Sequence, residues 1–290
     1  MRKFFFDRLS RRNSSGLSVG LAGKLSGDLS RGLSLGIIAL SLLASPLAYS
    51  ASAQTSDREV QNFAPLSLQN DSIQFYNLRY GLRDLFTKLV NDNGNGHEDL
   101  YGIRNFRMVL TGVAYRGGAN NLYNRNGKRA NSNPLPTIGL RNLCEEGFDQ
   151  AVYLYSTNYG TAPHSVSCRT RSGASNTLTY FQYSPLLSLK AAHSILELIH
   201  AKLTNSANSH PLYMHCWNGW HASGYISALT LRQFCGMTAD KAIDYWNRNT
   251  DGNFNGASYD KVRQMIRNYQ IDPALSIPAA VKADVCQYMW

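Results

Sequence analysis

Between Pro211 and Leu231 a short apolar strand ends in Tyr213-Met214-His215-Cys216, the chain turns at Gly219, and Ser223-Gly224 opens an apolar-periodic stretch. A strand joined to a helix by so short a loop belongs in an α/β sheet. Such a loop turns successive backbone N–H groups inward, and the dipole of the following helix adds partial positive charge. An anion can therefore sit over the Cys216 sulfur.

The remaining pattern agrees with that class. Apolar runs predict strands at Met108–Tyr115, Gln150–Tyr155 and Leu178–Tyr183. Leu189, Ala192, Leu196, Ile199 and Leu203 repeat at helical spacing, which predicts a helix over Ser188–Leu203, and further helices are expected at Ile138–Glu146, Ala239–Arg248 and Tyr259–Tyr269. The expectation is α/β: a central, partly parallel sheet flanked by helices over 108–272. Mixed three- and four-residue spacing from Ile73 to Leu89 predicts a helical segment within 54–107, and 273–290 reads as a C-terminal tail. Arg116–Pro136 and Ser156–Ser175 are polar and read as loops.

Residues 1–53 read as a secretory signal peptide. Arg2, Lys3, Arg8, Arg11, Arg12, Lys24 and Arg31 precede an apolar stretch from Leu35 to Leu47, and Ala51-Ser52-Ala53 offers small residues for cleavage. The apolar stretch is short for a membrane span, so no stable membrane anchor is expected after cleavage. Seven basic and two acidic side chains leave with this segment, and the formal charge falls from +10 to +5. No run of Lys and Arg with interleaved aromatics points to nucleic acid. All five cysteines follow the cleavage site, and a periplasmic or secreted chain meets an oxidising compartment. An odd count leaves Cys216 as the expected free thiol. The other four cysteines allow three pairings that sequence alone does not choose among, with Cys144–Cys168 and Cys235–Cys286 taken as the expectation and unpaired buried thiols as the alternative.

His215, Cys216, Gly219 and Ser223 occupy the positions of H-C-x-x-G-x-x-R-[S/T]. Tyr115-Arg116-Gly117-Gly118 is similar to a Y-R-S-x segment, and Gly236-Met237-Thr238-Ala239-Asp240-Lys241-Ala242-Ile243 looks like a helix-turn-helix continuation. From about Val109 to Tyr269 the chain thus resembles the cysteine-dependent dual-specificity and tyrosine phosphatase superfamily. The resemblance implies a nucleophilic Cys216, a His215 that orients the loop, and a Ser223 that assists release of a cysteinyl-phosphate. It further implies ligand contacts from Trp217, Asn218, Gly219, Trp220, Ala222, Gly224 and Arg116.

Two parts of that family's chemistry are missing. Ala222 stands at the arginine position, and a methyl group cannot supply bidentate donors to a phosphoryl group. No aspartate occurs from Ala151 to His210, where the general acid usually stands, and Tyr183-Ser184-Pro185-Leu186 follows the strand there. Replacements could come from Arg116, Arg169, Arg171 or Lys190 for the guanidinium and from His221 for the proton donor.

Other constellations compete with this reading. His215, Cys216 and His221, with His164 or His193 as a fourth ligand, suggest copper or zinc. In the related loop, however, the histidine before the cysteine points into the core, and no metal or cofactor is expected. Asp251-Gly252-Asn253-Phe254-Asn255-Gly256 has the first half of a calcium loop, but its twelfth position is Val262; Asn91 to Gly96 is similarly incomplete, so polar turns are expected at both. Trp217 and Trp220 flank the loop glycine, either over the pocket or packed at its rim. The leading expectation is an exported pseudo-phosphatase that binds a phosphate-bearing or other anionic ligand, or a protein partner, through the Cys216 loop. The alternatives are an atypical active cysteine phosphatase and a Cys/His metal or redox protein.

Overall fold

The computed structural model describes residues 68–94, 96, 100–119, 134–205 and 210–288, and the expected signal peptide lies outside them. The strands are β1 (Ile103–Leu110), β2 (Ala114–Ala119), β3 (Gln150–Tyr153), β4 (Ser165–Arg169), β5 (Ser175–Gln182) and β6 (Leu212–Cys216). They form one mixed sheet in the order β1-β2-β6-β3-β5-β4. The four inner strands run parallel, and β1 and β4 close the two edges antiparallel. The helices are α1 (Leu68–Tyr80), α2 (Thr137–Glu145), α3 (Leu189–Thr204), α4 (His221–Cys235), α5 (Ala239–Arg248), α6 (Ala257–Asn268) and α7 (Ala279–Val285). Among the described residues no helix is long and apolar enough to cross a membrane.

Neighbouring strand residues point to opposite faces of the sheet, and β2 shows what each face holds. Tyr115 stacks on Phe106 and packs against Tyr76 and Tyr80 of α1. Arg116, the next residue, reaches Tyr245 of α5 and Ser223 of α4. The Cys216 loop therefore sits at the end of β6, between an aromatic face and a helical face. Two helix starts are capped by hydroxyls: Ser188 accepts from Ala191 N before α3, and Thr238 accepts from Lys241 N before α5.

Several expectations need correction. The predicted strand Met108–Tyr115 is the end of one strand, a turn at Thr111–Val113 and the start of the next, because an apolar run hides a hairpin turn. The helix expected from Ile73 to Leu89 stops at Tyr80. β1 begins at Ile103 and so crosses the expected boundary between 107 and 108. The predicted loop Ser156–Ser175 contains β4, an edge strand whose one buried residue is Val166. The C-terminal tail carries a 3₁₀ turn at Pro273–Leu275 and α7, and it buries Leu275 and Val285. Residues 120–133 of the expected polar loop lie outside the described residues.

Both disulfides join the expected partners, Cys144 with Cys168 and Cys235 with Cys286, and Cys216 is a buried free thiol. The first staples β4 to α2, and the second ties α7 to the end of α4.

Candidate functional site

The loop from Trp217 to Trp220 lies directly on β2. A Cβ at Gly118 would come within 2.6 Å of Trp217 O, so that strand position has to be bare. Gly219 turns the chain with φ +78°, a left-handed conformation that glycine adopts without steric cost.

Four consecutive loop carbonyls are held from the β1–β2 side. Trp217 O accepts from Ala119 N at 3.0 Å, Asn218 O from Asn105 Nδ2 at 2.7 Å, and Gly219 O and Trp220 O both from Arg116 Nη2, the latter at 3.1 Å. In a trans peptide the N–H of the next residue points opposite to the carbonyl. The N–H groups of Asn218, Gly219, Trp220 and His221 therefore face away from the hairpin, at the amino end of α4. Trp220 O also accepts from Gly224 N at 3.0 Å as the first carbonyl of α4, and backbone N–H groups at a helix's amino end favour a negative charge.

A β-bulge explains how Asn105 reaches the loop. Arg104 pairs with Gly118 and Arg107 with Arg116, which leaves one extra residue on β1, and Asn105 takes φ +51°. A bulge of this kind re-aims a side chain next to a site. Asp92 Oδ1 accepts from Asn105 Nδ2 at 2.8 Å and also pairs with Arg104, whose Nη1 donates to Asn218 Oδ1 at 3.2 Å.

Cys216 Sγ lies 3.5 Å from Ser223 Oγ. Ser223 Oγ accepts from Arg116 Nη2 at 3.3 Å, and Arg116 Nη1 donates to Tyr245 Oη at 3.3 Å. Ala222 is wholly buried beside Ser223 in the first turn of α4. Of the four cations considered as replacements for the missing arginine, Arg116 alone is brought to the loop. Arg169 donates to Gly173 O, Arg171 pairs with Glu146, and Lys190 is exposed on α3.

His215 is caged by Tyr153, Tyr180 and Tyr213, with ring centroids 5.4 to 5.8 Å away. Its Nδ1 donates to Cys216 O at 3.2 Å, because a carbonyl can only accept. Burial pushes its pKa down to about 4, so near pH 7 the ring is neutral and Nε2 carries the lone pair. Tyr180 O–H then donates to Nε2 at 2.6 Å, and its oxygen accepts from Leu135 N at 3.1 Å.

His221 faces the turn after α5. Its Nε2 donates to Asn253 O at 2.6 Å, and the ring stacks on Tyr259 at 4.5 Å. Burial lowers its pKa despite the bond to Asn253, and Arg116 adds to the lowering. The ring is neutral near pH 7, with its proton committed to a carbonyl. Trp220 Nε1 donates to Asp251 Oδ2 at 2.8 Å, while Trp217 Nε1 is buried without a partner.

The turn that looked like half a calcium loop serves the Cys216 loop. Asp251 accepts from Lys88 at 2.7 Å and from Arg107 at 3.2 Å as well as from Trp220. Its pKa is lowered: burial opposes ionisation, and the bonds from Lys88 and Trp220 together with the Arg107 charge outweigh it. Held as a carboxylate, it is an ion-pair partner and a poor store for a proton. Burial, and next the charge of Arg116, push Arg107 down to about 10.

Among the described residues no three His, Cys, Asp or Glu side chains gather as metal ligands. His215 and His221 are engaged as above, His164 stacks on Tyr159, and His193 pairs with Asp272 at 2.8 Å. Sequence reasoning missed Asp92, Arg104, Asn105, Arg107 and Asp251. The turns that hold Asp92 and Asp251 carried a signal, and in both it pointed to calcium. No known protein family matches this chain, and no curated protein matches it.

Proposed function

We propose that this chain is an exported, phosphatase-like protein whose Cys216 loop binds an oxyanion, of the phosphate-ester class, without efficient phosphoryl-transfer chemistry. The observation that carries the reading is the pinning of four successive loop carbonyls, which turns the N–H groups of Asn218 to His221 to the opposite side. Cys216 and Ser223 keep the contact expected of a nucleophile and its assistant. The chemistry around them is reduced. Ala222 gives the helix no guanidinium, and the carboxylate nearest in the network, Asp251, is held ionised by cations. The two disulfides agree with a periplasmic or secreted setting. The occupant is a phosphate-bearing small ligand or the phosphate group of a protein partner.

Hydrolysis of an aryl phosphate, with Cys216→Ser as control, tests the loss of chemistry. The wild type is expected to match the control, and Ala222→Arg is expected to raise turnover above it, because a restored transition-state donor is worth roughly a hundredfold. Wild-type turnover well above the Cys216→Ser control would establish the alternative, an atypical active cysteine phosphatase.

A further inference from the structure

Resting on the oxyanion reading, we infer that Arg116 supplies from beneath the loop the positive charge that Ala222 lacks, acting on the bound anion through the loop peptides and on Cys216 through Ser223.

β1 and β2 bury three arginines, Arg104, Arg107 and Arg116. Arg104 is matched by Asp92, and Arg107 by Asp251. Arg116 has no carboxylate partner among the described residues. Its acceptors are Gly219 O, Trp220 O, Ser223 Oγ and Tyr245 Oη, all neutral, and its buried Nε has no hydrogen-bond partner. Arg107 lies directly opposite it in the strand register and adds a like charge. A guanidinium taken out of water without a counter-charge is costly, so this site is built to hold a negative charge.

The connection to that charge is direct. Arg116 donates to the carbonyls of Gly219 and Trp220, and the same two peptide units present the N–H groups of Trp220 and His221 at the amino end of α4. A hydrogen bond to a carbonyl polarises its own N–H, which strengthens that donor. Ser223 Oγ spends a lone pair on Arg116, so its proton is free to turn toward Cys216 Sγ, 3.5 Å away. A lysine could keep the charge but could not reach all of these acceptors, whereas methionine keeps the bulk and loses the charge.

Titration of the purified, disulfide-intact protein with tungstate and with orthophosphate tests this, with circular dichroism and thermal melting as checks of folding. Arg116→Met is expected to weaken tungstate roughly tenfold, the size of one charge acting over several ångströms at a partly screened site. Arg116→Lys is expected to keep most of the affinity, a rescue by charge that a purely structural role does not provide. A folded Arg116→Met protein that binds like the wild type overturns the inference. If Arg116→Met does not fold, Arg116→Gln decides: several-fold weaker tungstate binding by the folded variant supports the inference, and wild-type affinity overturns it. If the wild type itself binds neither anion, the oxyanion reading fails, and this inference falls with it.

Discussion

Caged by three tyrosines, His215 keeps its Nδ1 proton on Cys216 O and presents Nε2 to Tyr180. Its folded pKa of about 4 lies below the ordinary 6.5, so folding favours the neutral ring. That contribution is complete above pH 6.5 and is lost as the pH falls toward about 4, because the unfolded chain takes up a proton that the folded chain refuses. Over that window the loss is on the order of 3 kcal/mol. Urea unfolding at pH 7.5, 5.5 and 4.5 should show the decline, and His215→Asn should flatten it while lowering stability at pH 7.5. An equal slope in the variant would assign the decline to other groups. His215, Cys216, Gly219 and Ser223 are legible in the sequence because they are contiguous and their spacing is a pattern. Asn105 and Asp251 are not, because each reaches the loop through strand register or a distant turn. Nothing in Ile103-Arg104-Asn105-Phe106-Arg107 marks its two arginines as buried.

Glu146, just past α2, joins three elements through one buried carboxylate. It accepts from Arg79 at 2.7 Å, from Tyr80 Oη at 3.0 Å and from Arg171 at 2.6 Å, while its backbone oxygen accepts from Tyr76 Oη at 2.7 Å. Removing one partner of a buried ion pair strands the others, so Glu146→Ala should cost about 3 kcal/mol in urea unfolding and raise amide exchange in α1. A loss below about 1 kcal/mol, the range of surface pairs, would leave α1 docked by its aromatic contacts alone. At this scale α3 is legible, because Leu189, Ala192, Leu196, Ile199 and Leu203 repeat at helical spacing. β4 is hidden, since a polar edge strand leaves Val166 as its one buried residue, and the β1–β2 turn is hidden inside an apolar run.

Across the whole molecule, one disulfide fastens the β4 edge of the sheet to α2, and the other joins the end of α4 to α7. Cys144–Cys168 spans 24 residues and Cys235–Cys286 spans 51, and the second holds α7 where Val285 O accepts from Thr111 N at 3.0 Å. By loop-closure entropy, replacing Cys235 and Cys286 with Ala should lower stability by about 4 kcal/mol, and replacing Cys144 and Cys168 by about 3.5 kcal/mol. Chemical denaturation of the two double variants under non-reducing conditions measures both; equal, small losses would show that the unfolded chain is already compact. The α/β class is legible because strand and helix patterns alternate along the chain, whereas the odd cysteine count points to a free thiol without choosing among the three pairings of the other four. The edge strand order is not legible, because it depends on which surfaces meet. The four pinned carbonyls carry one more consequence. The loop's shape is set by its bonds to β1 and β2, so on the proposed reading an arriving anion would have little left to order, the entropy of arranging the donors having been lost in folding. If the proposed oxyanion sits there, donors fixed in this way should sort anions by radius and geometry as well as by charge.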